Sequence, residues 1–395
     1  MAEKSHIGIG FDGMCADVSI LNIGPHLEAI AGRYPKLAPL TESLKAGRDE
    51  ELTCEAEGIA PEEFLEILSY LQELPAVTVD VHIGANCALE AVTAARLLED
   101  PHRPVKPVEV DYLGFWSPRT LERVPESIPS EFLTQAEPVS DSEAISLILP
   151  HKGKRAILSF GGAPPVRSLS PKLKDYLTNR VPSYLKESAP DMLIVVGTAC
   201  TFSAAESEDF ALLERIIGTA QAQGTKVLVD LGGLGSWKDE ALRAYFASLS
   251  AADILSMNES ELQVYYEKKT GRPPLGVTAR ECAAMVEAVS GPRQGFLVHT
   301  PHFQLAKGIE PQEAVKEALG FAGKAATLRG ARGSFPTACE VAQSELPLSD
   351  KADLQGLPEG FIAQAGYAAE VTNPVGLGDT WTCSFVLSYL GARAS

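Results

Sequence analysis

Short apolar runs, most of them followed by a stretch that suits a helix, recur along most of this chain. The runs are His6 to Phe11, Ala76 to Val81, Pro107 to Leu113, Arg155 to Phe160, Met192 to Val196, Val227 to Leu231 and Gly295 to His299. The helical stretches are Ala85 to Glu99, Asp209 to Gln223, Asp239 to Ser248, Glu259 to Lys268, Ala279 to Val289 and Pro311 to Leu328. Runs this short and this apolar suit strands buried on both faces, and β-then-α order brings successive strands back parallel. The pattern predicts an α/β fold with a central, mostly parallel sheet flanked by helices. Two segments depart from it. Gly24 to Glu73 is helical and charged and interrupts the first two strands, and Gly161-Gly162-Ala163-Pro164-Pro165 breaks the chain after a strand. Both read as excursions that build a smaller lid, within about 14–75 and 105–175. The remainder, chiefly 176–395, forms the large α/β domain.

A net charge of −18 argues against non-specific binding to nucleic acid or to an anionic membrane. It leaves anionic small substrates open, since these need only a local positive pocket. The seven cysteines are scattered and form no CxxC pair, which suits thiols in a reducing compartment. No apolar run approaches a membrane span, and the first residues carry no secretion signal core. The expectation is a cytoplasmic protein without membrane or nucleic-acid partners.

The chemistry is concentrated near the C-terminus, in Asn373-Pro374-Val375-Gly376-Leu377-Gly378-Asp379-Thr380. Two glycines let successive amides converge on one anion. The following segment, Thr380 to Leu390, suits a helix with Asp379 or Thr380 near its cap, and a helix N-terminus adds donors and a positive dipole end. A carboxylate beside a phosphate is poor for binding alone. It makes sense if it takes a proton from a hydroxyl that attacks phosphorus. The plain alternative is an acid that caps a helix.

Other candidates lie at strand ends. Asp12 and Asp17 follow the first strand and are acceptors for sugar hydroxyls, or else a turn Asp and a solvated Asp. Gly8 to Gly13 matches GxGxxG, but a dinucleotide site needs a full strand before it and a helix at the last glycine. Gly84-Ala85-Asn86 opens a helix, where Asn86 either meets vicinal hydroxyls or caps. Asn258 and Glu261 have the spacing of a capping box. Glu261 is also a candidate to organise hydrated Mg²⁺, with Asp230 as a second candidate for that environment. His299-Thr300-Pro301-His302 ends a strand, and Pro301 rules out the helical geometry of an HExxH zinc site. It reads as a loop lining the cleft. No P-loop and no GxSxG occurs.

Taken in order, these pieces resemble the ribokinase-like superfamily, and in detail its ADP-dependent sugar kinases (glucokinase and phosphofructokinase). The turn reads Val375-Gly376-Leu377-Gly378-Asp379-Thr380 where ATP-dependent members usually carry Gly-Ala-Gly-Asp, and Asn258 to Glu261 gives Asn-x-x-Glu. Three motifs depart from the branch. Its Asn-x-Asn-x-Asp appears as Asp12-Gly13-Met14-Cys15-Ala16-Asp17, its His-x-Glu as Leu228-Val229-Asp230, and its sugar loop as Ile83-Gly84-Ala85-Asn86. The resemblance implies Asp379 as general base and Gly376, Leu377 and Gly378 as part of the anion hole. It implies Asp12 or Asp17, with Gly84 and Asn86, on the sugar, and His299, Thr300 and Val375 on the nucleotide. Glu261 and Asn258 would hold Mg²⁺ through water, supported by Asp230. The donor would be ADP, and the acceptor glucose or a sugar phosphate such as fructose 6-phosphate. Lys152, Lys154, Arg155 and Arg167 are the candidate clamp for such a phosphate. An ATP-dependent kinase of the same fold, a dehydrogenase and a non-catalytic sugar- or nucleotide-binding protein stand as alternatives.

Overall fold

The structure is a computed structural model that describes residues 4–11, 13–48, 50–54, 57–99, 107–138, 144–152, 154–160, 174–197, 207–232, 234, 239–371 and 375–393. Its strands, in chain order, are β1 (Ser5–Gly10), β2 (Cys15–Leu21), β3 (Glu50–Thr53), β4 (Thr78–Gly84), β5 (Val108–Tyr112), β6 (Phe115–Trp116), β7 (Glu137–Pro138), β8 (Ile145–His151), β9 (Lys154–Phe160), β10 (Met192–Val195), β11 (Lys226–Asp230), β12 (Ile254–Asn258), β13 (Gly295–His299), β14 (Phe303–Lys307) and β15 (Phe361–Ala365). The large sheet has the order β15-β14-β13-β12-β11-β10-β1-β5. Its pairs from β5 through β13 are parallel, and β14 and β15 join antiparallel at one edge.

Side-chain alternation along the strands explains why this sheet is covered twice. Met192, Ile194 and Leu228 pack on one face with Leu97, Leu319 and Leu387, which come from the helices Asn86–Leu98, Gln312–Arg332 and Leu377–Arg393. Leu193, Val195 and Val229 pack on the other with Leu213, Phe246, Leu262 and Val286. The C-terminal helix is buried at every residue from Thr380 to Gly391, as a helix that is apolar all round requires. No helix among the described residues is long and apolar enough to cross a membrane.

A second sheet, of order β3-β9-β8-β2-β4, has its own core against the helices Leu27–Arg33, Ala38–Lys45 and Pro61–Gln72. It differs from expectation in two ways. Strand β2 lies between β1 and the helical segment, and β3 lies within that segment. Asp17 and Ser19 are buried in β2, so it presents no unbroken apolar run. Strand β4, beyond the expected end of the first excursion, pairs with β2 along its whole length, whereas β5, inside the expected second excursion, belongs to the large sheet. The chain also runs from β1 directly into β2, so no helix opens at Gly13 and the dinucleotide motif lacks its context.

Candidate active site

In parallel sheets ligands gather at the carboxyl ends of the strands. Here β11 ends in Asp230, β12 in Asn258 and β13 in His299, and Asn258 and His299 are register partners. The C-terminal helix opens at Leu377, so Asp379 is its third residue rather than its cap. Thr380 N donates to Gly376 O at 3.0 Å, and the amides of Leu377, Gly378 and Asp379 precede this bond in the first turn. This is the anion-facing geometry of a helix N-terminus. Gly376 has φ +70°, a conformation that favours glycine, and a Cβ there would press on Leu89 Cδ1 at 3.0 Å.

Several expected residues meet at this turn. His299 stacks on Trp381 at 4.9 Å between ring centroids, and a Cβ on Gly378 would stand 3.3 Å from His299 Cε1. His299 Nε2 lies 4.0 Å from Asp230 Oδ1, and neither buried atom has a hydrogen-bond partner among the described residues. Asn86 is the first residue of its helix, not its cap, and a Cβ on Gly232 would lie 2.7 Å from Asn86 Nδ2. Its side chain thus reaches the chain just beyond β11. Ala85, between β4 and Asn86, takes φ +71°, a conformation L-residues rarely adopt outside constrained sites.

The capping box forms as its spacing predicts. Asn258 Oδ1 accepts from Ser260 N and Glu261 N at 2.9 and 3.0 Å, and Asn258 N donates to Glu261 Oε2 at 2.9 Å. Glu261 nevertheless binds its proton far more tightly than an ordinary glutamate. Burial is the first cause and the charge of Asp230 the second, with Asp379 adding to them against the Asn258 amide. Asp230, Glu261 and Asp379 thus act on one another's charge. Among the described residues no three His, Cys, Asp or Glu side chains stand close enough to hold a metal directly. A cation bound here would have to be held through its own water rather than by a direct ligand set.

The second sheet brings Asp17 to the same region. Asp17 is opposite His82 on β4 and Ser146 on β8, and a Cβ on Gly84 would lie 2.0 Å from its Oδ1. Gly84 is thus needed because the carboxyl occupies the space a side chain would take. Burial raises Asp17 from 3.8 to about 6, against the opposing pull of the Cys15 thiol, Arg155, His82 and Ser146. The fold therefore binds this proton more tightly than the unfolded chain does. Its stabilising contribution is complete below pH 3.8 and is lost as pH rises through about 6. Asp17→Asn is expected to be more stable than the parent at pH 7 by about 2–3 kcal/mol, because each pH unit by which folding tightens the proton is worth about 1.4 kcal/mol. That advantage should vanish near pH 4. Denaturant melts at the two pH values measure it, and a pH-independent difference would remove the ionised carboxyl as its cause.

The remaining residues divide. The Thr300 hydroxyl donates to Phe303 O and accepts from Phe303 N, so it is engaged in holding the β13–β14 turn. Val375 stands partly buried beside the turn. Lys152 and Arg155 lie exposed on the β8–β9 hairpin. Asp12, Arg167 and Gly161 to Pro165 fall outside the described residues. Sequence reasoning missed Trp381 and Glu90. The signal for Glu90 was a single acid in the apolar stretch Cys87-Ala88-Leu89-Glu90-Ala91-Val92.

No protein-family model matches this chain, and no curated protein matches it in sequence. Solved structures do. The last common ancestor of ADP-dependent phosphofructokinases from Methanosarcinales aligns with TM-score 0.67 at 12% identity, over 98% of this chain and 94% of that one. The fold is that of the ADP-dependent phosphofructokinases. A phosphofructokinase from Pyrococcus horikoshii OT3, solved with AMP, gives 0.65 at 12% identity over 100% and 99% of the two chains. An ADP-dependent kinase in complex with fructose-6-phosphate and ADPβS gives 0.64 at 13%, over 98% and 94%. At such identities the likeness is one of architecture. It fits the ribokinase-like arrangement, a large, mostly parallel α/β sheet with a smaller second sheet.

Proposed function

We propose that this chain is a cytoplasmic, Mg²⁺-dependent sugar kinase that moves the β-phosphate of ADP to a sugar hydroxyl and releases AMP. The observation that carries the reading is Asp379 in the first turn of a buried helix, behind a glycine turn, with Asp230 and Glu261 close enough to feel its field or each other's. The ADP-dependent phosphofructokinase fold supports the choice of donor and acceptor class. The scattered cysteines suit a cytoplasmic setting.

In this reading the two sheets enclose the sugar, and closure excludes water that would otherwise hydrolyse the donor. Asp17, Gly84 and Asn86 hold the sugar. Asp12, the other acid after β1, is the competing contact. His299, Thr300 and Val375 line the nucleotide side. Asp379 accepts the proton of the acceptor hydroxyl as its oxygen bonds to the β-phosphorus. The bond from that phosphorus to the bridging oxygen breaks, and AMP leaves with the electron pair. The amides of Gly376 to Asp379 stabilise the charge on the phosphoryl oxygens. Glu261, Asn258 and Asp230 would hold hydrated Mg²⁺, which supplies further neutralisation of phosphate charge. Arg155, whose charge reaches Asp17, favours an anionic acceptor such as fructose 6-phosphate over a neutral hexose such as glucose.

The test is AMP release from ADP and Mg²⁺ across glucose, fructose 6-phosphate, ribose and nucleosides, with ATP in parallel. AMP appearing with one sugar is the expected result. ADP release from ATP alone would make the chain an ATP-dependent kinase of this fold, and silence with every acceptor would count against catalysis. Glu261→Gln offers a second check. Glutamine preserves the capping box and removes the charge. The Mg²⁺ concentration for half-maximal rate should rise about tenfold. An unchanged requirement would take Glu261 out of the metal role.

A further inference from the structure

Strand β4 carries a charged cluster that the proposed mechanism leaves unused. Alternation turns Asp80, His82 and Gly84 to one face of the second sheet, where His82 stands opposite Asp17. Each ring nitrogen of His82 meets a carboxylate. Nδ1 lies 2.5 Å from Glu126 Oε1, and Nε2 lies 2.9 Å from Asp80 Oδ2. Glu126 comes from the connection between β5 of the large sheet and β8 of the second. Its other oxygen, Oε2, accepts from Ile83 N at 2.9 Å. Strand β4 is at the edge of its sheet, so Glu126 serves an amide that no further strand can take. The His82 and Glu126 side chains are 18% and 12% exposed, so solvent screens their contact little.

An ionised carboxylate only accepts hydrogen bonds, so a ring flanked by two of them carries hydrogen on both nitrogens and is an imidazolium. The Glu126 hydrogen bond is the first cause that raises the His82 pKa. Burial opposes it, the charges of Glu126 and Asp80 reinforce it, and Arg329 of the helix Gln312–Arg332 opposes it. Asp17, across the strand pair, is the remaining charged group that feels the ring. Beyond His82 the strand continues into Gly84, which makes room for Asp17, then Ala85 at φ +71° and Asn86. The seat of β4 therefore sets the seat of the residues read as sugar contacts. We propose that Glu126 is a positioning residue of the acceptor site, fixing through the His82 ring and the Ile83 amide the end of β4 that presents Gly84 and Asn86 beside Asp17. The inference rests on the kinase reading for the identity of that site, and its test needs no turnover. The contact is complete while His82 is protonated. As pH rises through the raised His82 pKa, one ring nitrogen is left facing a carboxylate with no hydrogen between them, and the clasp loosens. Acceptor affinity should then fall on the alkaline side, and ADP affinity should not follow it.

The experiment pairs an NMR titration of the histidine rings of the full chain, with His82 assigned from His82→Gln, with calorimetric binding of glucose, fructose 6-phosphate, ribose and nucleosides from neutral to alkaline pH. Glu126→Gln keeps an acceptor for the Ile83 amide and offers an N–H to a neutral His82 Nδ1. It should move the His82 titration down by about one pH unit or more, and the alkaline loss of acceptor binding should move down with it. ADP binding should stay as in the parent. Glu126→Ala removes the amide's partner as well, and should weaken acceptor binding about tenfold at every pH. An unmoved His82 titration in Glu126→Gln overturns the inference. So does weaker acceptor binding at every pH with the pH curve left in place, which is what a packing role alone would give. If an acceptor is phosphorylated and Glu126→Gln leaves its curve where the parent's is, the positioning role falls and the kinase reading stands. If an acceptor binds with the expected shift but yields no AMP, the positioning role stands and the kinase reading falls. A parent chain that binds no acceptor of the panel overturns the inference as well.

Discussion

Asp379→Asn is expected to lower the turnover number for phosphoryl transfer by about 10²- to 10⁴-fold, the usual contribution of a general base. ADP affinity should change little. The two effects separate because the side chain and the backbone of this residue have different tasks. The amides of Leu377, Gly378 and Asp379 precede the first bond within the helix and are unaltered by the substitution. Gly376, held at φ +70° against Leu89, keeps its turn. Asparagine also remains acceptable in the first turn of a helix. What disappears is the ability to take the proton of the attacking hydroxyl. The relevant measurements are single-turnover rate and equilibrium binding of ADP on the same preparation. A variant that turns over at the parental rate would remove Asp379 as the base. A variant that loses rate and ADP binding together would mean the carboxyl serves the turn's structure.

Gly84→Ala is expected to raise KM for the sugar about 10- to 100-fold with little effect on the KM for ADP. A Cβ at this position would stand 2.0 Å from Asp17 Oδ1 and 2.3 Å from its Cγ. The backbone cannot readily yield, because Gly84 is paired with Cys15 and the adjacent Ile83 N donates to Glu126 Oε2 at 2.9 Å. Asp17 must therefore swing away from its place between β4 and β8. A hydrogen bond from a sugar hydroxyl to a charged acceptor is worth about 1.5–3 kcal/mol, which sets the size of the loss. Asp17→Ala should produce a similar rise, and the double variant should be no worse than Asp17→Ala alone, since the clash has then lost its partner. Additive effects would mean that Gly84 acts on the sugar by another route. No change in either single variant would pass the sugar role from Asp17 to Asp12.

The parallel sheet was readable because its strands are buried on both faces. β10 is a run of Met, Leu, Ile and Val, and β11 carries Val-Leu-Val between Lys226 and Asp230, so both carry their own signal. Helix starts were readable for a local reason as well. At Asn258 the cap and the residue three positions later satisfy each other's backbone within one turn. Strand β15 was hidden because it lies half-buried at the sheet edge, where no apolar run is required. Strand β2 was hidden because Asp17 is accommodated by tertiary partners rather than by its own sequence neighbours alone.

The sequence by itself determined the α/β class, the glycine turn before the last helix and the residues gathered at the strand ends, because each depends on contacts within a few residues. Only the tertiary structure decided which acids share a field. Glu90 and Asp379 are separated by most of the chain, yet burial and electrostatic repulsion act between them through space. It also decided that Gly84 makes room for Asp17 and that Thr300 is used up in its own hairpin. Desolvation and steric fit are properties of what surrounds a side chain in three dimensions, and a linear pattern of residue types does not carry them.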